Sequence, residues 1–278
     1  MALGKAIGII SLAVLLAWAP PVLAQSALRV CADPNNLPFS NDKGEGFENK
    51  IVELLAKDMG AKLEYTWWAQ RRGYIRNTLN AEKCDLWPGV ATAIDMMATS
   101  RPYYRSSYMF VTRTDRHLNI ASFDDPVLRH LRIGVQMVGN DAQNTPPTHA
   151  LARRGIIANV RGYMLYGDYE RPNPPAAIID AVEHGDIDVA IVWGPLAGYF
   201  ASKEPQPLAL VPVQPAIDGA QWPMVFDISM GMRRYEPDFM EKIDQFLIRE
   251  RPAIDAILAQ YHVPRVNRET GEFQSAQP

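Results

Sequence analysis

One stretch decides the fold: Gly185-Asp186-Ile187-Asp188-Val189-Ala190-Ile191-Val192-Trp193-Gly194-Pro195-Leu196-Ala197-Gly198-Tyr199. Its run 189–193 is apolar without alternation and β-branched at three positions, which is typical of a strand covered on both faces. Gly194 and Pro195 end the strand, and Pro195 suits the first turn of a helix. A strand, a tight turn and a helix at this spacing predict an open α/β sheet, whose ligand crevice lies beyond the carboxyl ends of the strands. The sequence therefore predicts a binding surface at Trp193.

Strands and helices alternate on both sides of this stretch. In the first part of the chain, apolar periodicity and turn residues predict strands at 28–32, 63–67, 85–90 and 108–112, with helices at 47–59 and 72–79. The second part predicts strands at 132–136 and 160–163, with helices at 145–155 and, behind an Asn173 cap, 173–184. The Pro-rich region 204–223 predicts irregular surface, 225–230 a returning strand, and 236–261 two helices. Successive βαβ units of this kind build mainly parallel sheets flanked by helices.

The charged stretch 113–116 predicts a boundary between two similar α/β lobes. Residues 25–113 and 224–278 are expected to form lobe 1, and 114–223 to form lobe 2. Two such lobes, crossed twice by the chain, predict a hinged clamshell that closes on its ligand.

The first 24 residues have the organisation of a secretory signal peptide. Lys5 supplies the positive charge, 6–17 supply the apolar core, and Val22-Leu23-Ala24 supply the small-residue cleavage pattern. The apolar run is short and ends at Pro20, which disfavours a membrane anchor. We expect cleavage before Gln25, export to the periplasm and no membrane insertion of the mature chain.

Composition and motifs exclude several classes of function. The net charge is −3 and the paired arginines are dispersed, so no basic stripe predicts a nucleic-acid partner. The chain has no Gly-x-Ser-x-Gly, His-Glu-x-x-His or phosphate-loop pattern, and its five histidines are isolated in sequence. Asp186 and Asp188 alternate along one strand and would face opposite ways, which disfavours a metal site. We therefore expect no catalytic residues, no metal and no cofactor.

The two cysteines, Cys31 and Cys84, allow two interpretations. An oxidising compartment would favour a disulfide between them, and both lie at predicted strands of lobe 1. Alternatively, a parallel register would hold their Cα atoms too far apart, leaving two buried thiols.

Seven tracts, taken in order, carry a family resemblance: 28–41, 43–51, 65–73, 101–106, 144–147, 166–169 and 193–199. The mature chain resembles the type II periplasmic solute-binding proteins of family 3 over nearly its whole length. Within that family the tracts are similar to the J proteins of methanol-oxidation gene clusters, the MxaJ and XoxJ type. The resemblance implies a two-lobed type II periplasmic-binding-protein fold.

The resemblance also implies a function. A J protein is a periplasmic, non-enzymatic partner of a methanol dehydrogenase that carries pyrroloquinoline quinone (PQQ) and a calcium or lanthanide ion. It would serve the assembly, activation or function of that dehydrogenase. The alternative is an ABC-transporter substrate-binding protein that delivers an unidentified, non-amino-acid small solute to a permease.

The chain departs from amino-acid-binding members of the family at both charged anchors. Those members carry an Arg shortly after a Thr to grip the ligand carboxylate, whereas 92–97 offers none. They also carry an Asp for the ligand ammonium where this chain has Trp193. The predicted cleft instead collects aromatic side chains, which suit a larger apolar partner or a protein segment. Its predicted members are Phe39, Trp67, Trp68, Trp193, Tyr199 and Trp222, with core packing as the alternative for each.

The loop around Asn140 and Asp141 carries a separate hypothesis. It follows a predicted strand and precedes a predicted helix, so its backbone N–H groups could hold an anion at the cleft. An ordinary connecting loop is the equally weighted alternative.

Overall fold

The structure is a computed structural model that describes residues 26–138, 144–164 and 169–274. The predicted signal peptide, 1–24, lies outside the described residues. The first part of the chain forms β1 (Ala27–Ala32), β2 (Asn35–Asn36), β3 (Ser40–Asn41), α1 (Phe47–Asp58), β4 (Lys62–Trp67), α2 (Tyr74–Asn77), β5 (Leu86–Ala91), β6 (Ala98–Thr99) and β7 (Tyr104–Arg113). The middle part forms β8 (Ile133–Met137), α3 (Pro146–Arg153), β9 (Val160–Met164), α4 (Ala177–Glu183), β10 (Val189–Trp193), α5 (Gly194–Ala201), β11 (Leu208–Pro212), β12 (Ile217–Asp218) and β13 (Trp222–Pro223). The last part forms β14 (Val225–Met232), α6 (Pro237–Arg249), α7 (Arg251–Gln260), β15 (Arg265–Val266) and β16 (Phe273–Gln274).

The main strands join in one sheet in the order β4-β1-β5-β14-β7-β10-β8-β9. The outer pairs β1–β4 and β8–β9 are parallel, whereas β14 and β7 in the middle are antiparallel to each other. Strand β7 is ten residues long; its first half pairs with β14 and its second half with β10 and β11. The division of the chain into lobes at Arg113 and Met224 stays a prediction.

The deciding strand, β10, is covered on both faces as its sequence predicts. Val189 and Ile191 pack into one buried cluster, and Ala190 and Val192 pack into another on the opposite face. All four are fully buried, which accounts for the absence of polar alternation. A third cluster packs α1, α6 and α7 against β1, β5 and β14 at the other end of the sheet.

Cys31 and Cys84 form a disulfide, with their Cα atoms 5.5 Å apart. Strands β1 and β5 are direct parallel neighbours, with Val30 opposite Leu86. Cys84 lies in the bend before β5, where the Asp85 N–H donates to the Arg29 carbonyl at 2.8 Å, so the chain approaches β1 there and holds the two Cα atoms within disulfide range.

Three local predictions are wrong, each for an identifiable reason. The helix predicted at 72–79 is reduced to α2 because Gly73 takes a left-handed conformation at its start. Asn173 is also left-handed, with φ of 48°, so its side chain does not cap the helix that follows. The Pro-rich region 204–223 contains β11, whose apolar residues pair with β7 between flanking prolines. A strand that ends in Pro212 is tolerated there because it joins the sheet outside the main strand order.

Asp188 fixes the entrance to β10. Its carboxylate accepts hydrogen bonds from the Arg132 backbone at 2.8 Å, from the Arg132 guanidinium at 2.9 and 3.0 Å, and from Arg116 at 2.9 Å. The Arg132 hydrogen bonds outweigh partial burial and hold the pKa of Asp188 well below its usual range. The carboxylate therefore ties β10 to the start of β8 in its ionised form.

We expect Asp188→Asn to lower the free energy of unfolding by about 2 kcal/mol at pH 7. Because the folded-state pKa is depressed, this contribution is present above the unfolded pKa of about 4 and is lost as the pH falls below it. Urea unfolding at pH 7, 5 and 3 measures it, with the exposed Asp186→Asn as the matched control. A difference between wild type and Asp188→Asn that stays constant from pH 7 to 3 would contradict this account.

Within residues 26–138, 144–164 and 169–274, no helix has the length and apolar character required to cross a membrane.

Candidate functional site

A cavity of about 290 Å³ lies at the carboxyl end of β10, where the deciding stretch predicts a binding surface. Five aromatic side chains line its wall: Phe39, Tyr104, Tyr108, Trp193 and Phe226. These rings come from the loop after β1, from β7, from β10 and from β14, so the cavity lies at the middle strands of the sheet. Its volume is at the lower end of the range for small-molecule sites.

Trp193 is held at this wall by two aromatic neighbours and one main-chain bond. Its ring meets Tyr108 edge-on at a centroid distance of 5.4 Å and Phe226 at 5.8 Å. The pairing of β10 with β7 places Trp193 directly opposite Tyr108. The Trp193 backbone N–H donates to the buried Gln136 side chain at 2.9 Å. The ring is therefore presented to the cavity by a rigid strand end.

The two glycines after Trp193 permit a close approach of α5 to its neighbours. A Cβ on Gly194 would lie 2.6 Å from the Ser106 hydroxyl and 2.7 Å from the Ser107 carbonyl. A Cβ on Gly198 would collide with the backbone carbonyl of His262. Helix α5 therefore packs directly on β7 and on the segment after α7, which fixes the direction in which β10 ends.

The loop that brings Asn36 and Phe39 to the cavity wall begins with Asp33, which is buried after β1. Its carboxylate accepts hydrogen bonds from the Gln70 backbone at 2.6 Å and from the Tyr169 hydroxyl at 2.6 Å. Asn35 donates to the Arg171 carbonyl at 2.8 Å, and Asn36, at the cavity wall, donates to Gln70 at 3.0 Å. These bonds join the loop after β1, which supplies Asn36 and Phe39 to the cavity wall, to the segment that precedes α4.

Phe39 and Trp193 are the predicted cleft residues that the structure brings together at the cavity. Trp67 stacks on Tyr65 at 4.4 Å in β4, the outermost strand of the sheet, and does not line the cavity. Trp68 packs against the cluster around the disulfide and lies under the Lys83 ammonium, 4.9 Å from it.

The remaining predicted aromatics also lie away from the cavity wall. Tyr199 stacks on Tyr261 at 5.7 Å and accepts a hydrogen bond from Lys203 at 2.8 Å. Trp222 stacks on His149 at 4.0 Å. The anion-site residues Asn140 and Asp141 lie outside the described residues, so that hypothesis stays a prediction.

The structure adds one acidic residue, Glu48, that the sequence prediction did not include. It lines the cavity and is 6% exposed. Burial raises the pKa of its carboxyl to about 8. The signal was present in the sequence, since positions 48, 51, 52 and 55 follow helical spacing and Glu48 therefore lies on the apolar face of α1. An acid on an apolar helix face is unusual in a core and marks a site.

Comparisons with known proteins find relatives with similar sequences and a similar fold. The model of the bacterial extracellular solute-binding proteins, family 3, matches residues 28–263. Protein MoxJ of Paracoccus denitrificans is 32% identical over 265 residues, covering 90% of this chain and 93% of MoxJ. Protein MoxJ of Methylorubrum extorquens is 32% identical over 249 residues, covering 85% of this chain and 81% of that protein.

Among solved structures, the periplasmic binding protein XoxJ from Methylobacterium extorquens AM1 superimposes with a TM-score of 0.70. It is 34% identical, and the match covers 87% of this chain and all of XoxJ. These likenesses confirm the resemblance stated from the sequence and the predicted two-lobed α/β fold.

Proposed function

The chain belongs to family 3 of the bacterial extracellular solute-binding proteins, and from that membership we propose that it is a periplasmic accessory of a PQQ-dependent methanol dehydrogenase. It acts without catalysis, by binding the dehydrogenase during its assembly, activation or function. The cavity around Trp193 is the surface that makes the contact.

The relatives support this assignment. The proteins named MoxJ and XoxJ are 32% and 34% identical to the chain over more than four-fifths of its length. The seven sequence tracts resemble the same J proteins, and this resemblance implies that the partner is a methanol dehydrogenase.

The observation that carries the proposal is the aromatic wall of the cavity. Tyr108, Trp193 and Phe226 form a cluster of three rings with centroid distances between 5.4 and 6.4 Å. No arginine or lysine is among the described residues of the wall, so a free amino acid would find no cation for its carboxylate. Rigid aromatic side chains around a pocket are typical of the energetic centre of a protein interface.

One observation favours the alternative, a transport receptor for a non-amino-acid small solute. The cavity volume, about 290 Å³, suits a small molecule or one large side chain rather than an entire protein segment. A receptor of this kind closes around its solute, and the bound form resists unfolding in proportion to the ligand concentration.

We test the proposed function by immobilising the mature chain, from Gln25 onward, and passing purified methanol dehydrogenase over it in apo and holo forms. We expect association with a Kd below 10 µM, roughly −7 kcal/mol or better. Preference for the apo form indicates a role in maturation, and equal binding indicates a permanent accessory.

Absence of binding to both forms would contradict the proposal. A screen of small solutes by thermal unfolding then tests the alternative, for which we expect a concentration-dependent rise in Tm with one class of solute.

A further inference from the structure

Glu48 is the acidic residue among the described residues of the cavity wall. It is the second residue of α1, and only 6% of it is exposed. A Cβ added to Gly89 would collide with the Glu48 carboxylate oxygen, so the side chain rests directly on the backbone of β5. The absence of a side chain at Gly89 therefore creates the space in which the carboxyl reaches the cavity.

The Glu48 carboxyl has no hydrogen-bond donor or cation as a partner within the part of the chain that the structure describes. The ionisable groups that face it are tyrosines: Tyr65 on β4, Tyr74 on α2, Tyr103 just before β7 and Tyr104 at the start of β7. Burial raises the pKa of each of these tyrosines, so all four are neutral below pH 10. A buried acid without a partner is costly in its charged form unless a ligand supplies the opposite charge.

We propose that Glu48 is the anchor for a cationic group, an alkylammonium or a guanidinium on an apolar stem, that enters this cavity. The inference rests on the proposed function in one respect, that the cavity is the binding surface. Trp193 and Phe39 would contact the stem, and aromatic faces also attract the cation itself.

The same wall excludes ligands that carry a carboxylate beside the amine. No described residue of the wall is an arginine or a lysine, so a zwitterionic amino acid would bury an unpaired anion. Two kinds of ligand offer a cationic group on an apolar stem without a carboxylate beside it. They are a basic side chain of the partner protein and a free aliphatic amine. A cavity of about 290 Å³ accommodates either one.

Binding of a cation is coupled to release of a proton. Burial raises the pKa of free Glu48 to about 8, so the acid is mainly neutral at pH 7. The bound cation stabilises the carboxylate and so lowers the pKa of Glu48, which drives release of the proton on binding. The affinity should therefore rise with pH below about 8, by up to about tenfold per pH unit, and level off above it.

Isothermal titration calorimetry at pH 6, 7 and 8, in buffers of different ionisation enthalpy, tests the proposal. The probes are n-butylammonium and Nα-acetyl-lysine methylamide; free lysine and the norleucine analogue serve as probe controls. We expect n-butylammonium or Nα-acetyl-lysine methylamide to bind with release of about one proton at pH 7. Tighter binding of the lysine derivative indicates a protein side chain, and tighter binding of butylammonium indicates a free amine.

Two variants separate the anchor from a general effect. Glu48→Gln should weaken amine binding at least tenfold and abolish the proton release, whereas Glu53→Gln, an exposed acid on the same helix, should change neither. The wild-type proton count remains informative if Glu48→Gln folds poorly. Absence of binding by both amines, equal binding to Glu48→Gln, or equally tight binding of the norleucine analogue would overturn the proposal. Dehydrogenase binding by the wild type in the immobilised assay would still support the proposed function in each of these cases.

Discussion

Replacing Cys31 and Cys84 together with alanine is expected to lower the free energy of unfolding by roughly 4 kcal/mol. The two residues are 53 positions apart, and a cross-link over a loop of this length removes much of the freedom of the unfolded chain. The closed loop contains α1, β4 and α2, and with them Phe39 and Glu48 of the cavity wall. Both sulfur-bearing side chains are fully buried, so the double variant also loses packing in their cluster.

Urea unfolding of the oxidised wild type, the reduced wild type and the double variant measures this effect. The reduced wild type lacks the cross-link but keeps both buried sulfurs. Its free energy of unfolding should be close to that of the double variant, because the cross-link accounts for most of the effect. The disulfide cluster around Tyr74 and Leu79 is separate from the aromatic wall, so the folded double variant should still bind the dehydrogenase. A loss of stability below 1 kcal/mol would contradict the prediction, because it would show that the unfolded chain gains little conformational freedom when this bond is removed.

Much of the fold could be predicted because apolar patterns report burial directly. The run Val189–Trp193 lacks alternation since both of its faces are covered, and α1 repeats apolar residues at helical spacing. The strand β11 was not predicted from the sequence because prolines flank it, and prolines indicate turns and loops. Its pairing with β7 depends on a tertiary contact that local sequence does not record.

The site was harder to predict than the fold because its members come from distant parts of the chain. Trp193 could be placed from the end of its own strand. Tyr108 and Phe226 join it through the registers of β10 with β7 and of β14 with β7, which no single-strand pattern contains. Trp67 is adjacent in sequence to conspicuous aromatics, but it lies on the edge strand of the sheet. Aromatic content therefore indicated the kind of wall, and only strand register identified most of its members.

Trp193→Ala is expected to weaken binding of methanol dehydrogenase about 100-fold, or roughly 3 kcal/mol. Truncation removes the central ring of the cluster with Tyr108 and Phe226 and leaves both neighbours with an exposed face. Trp193→Phe keeps an aromatic ring and should lose less than tenfold. The main-chain bond to Gln136 does not require the side chain, so both variants should remain folded.

The immobilised binding assay used for the wild type measures this prediction, with melting curves to establish that each variant is folded. Tyr235→Ala is the matched control because that aromatic side chain is 93% exposed and is not among the residues that line the cavity. Unchanged binding by folded Trp193→Ala would remove the cavity from the interface, and the dehydrogenase would then have to bind another face of the chain. Loss of binding by Trp193→Ala with full binding by Tyr235→Ala would place the contact at the carboxyl end of β10. That is the point at which an open α/β sheet presents its ligand crevice.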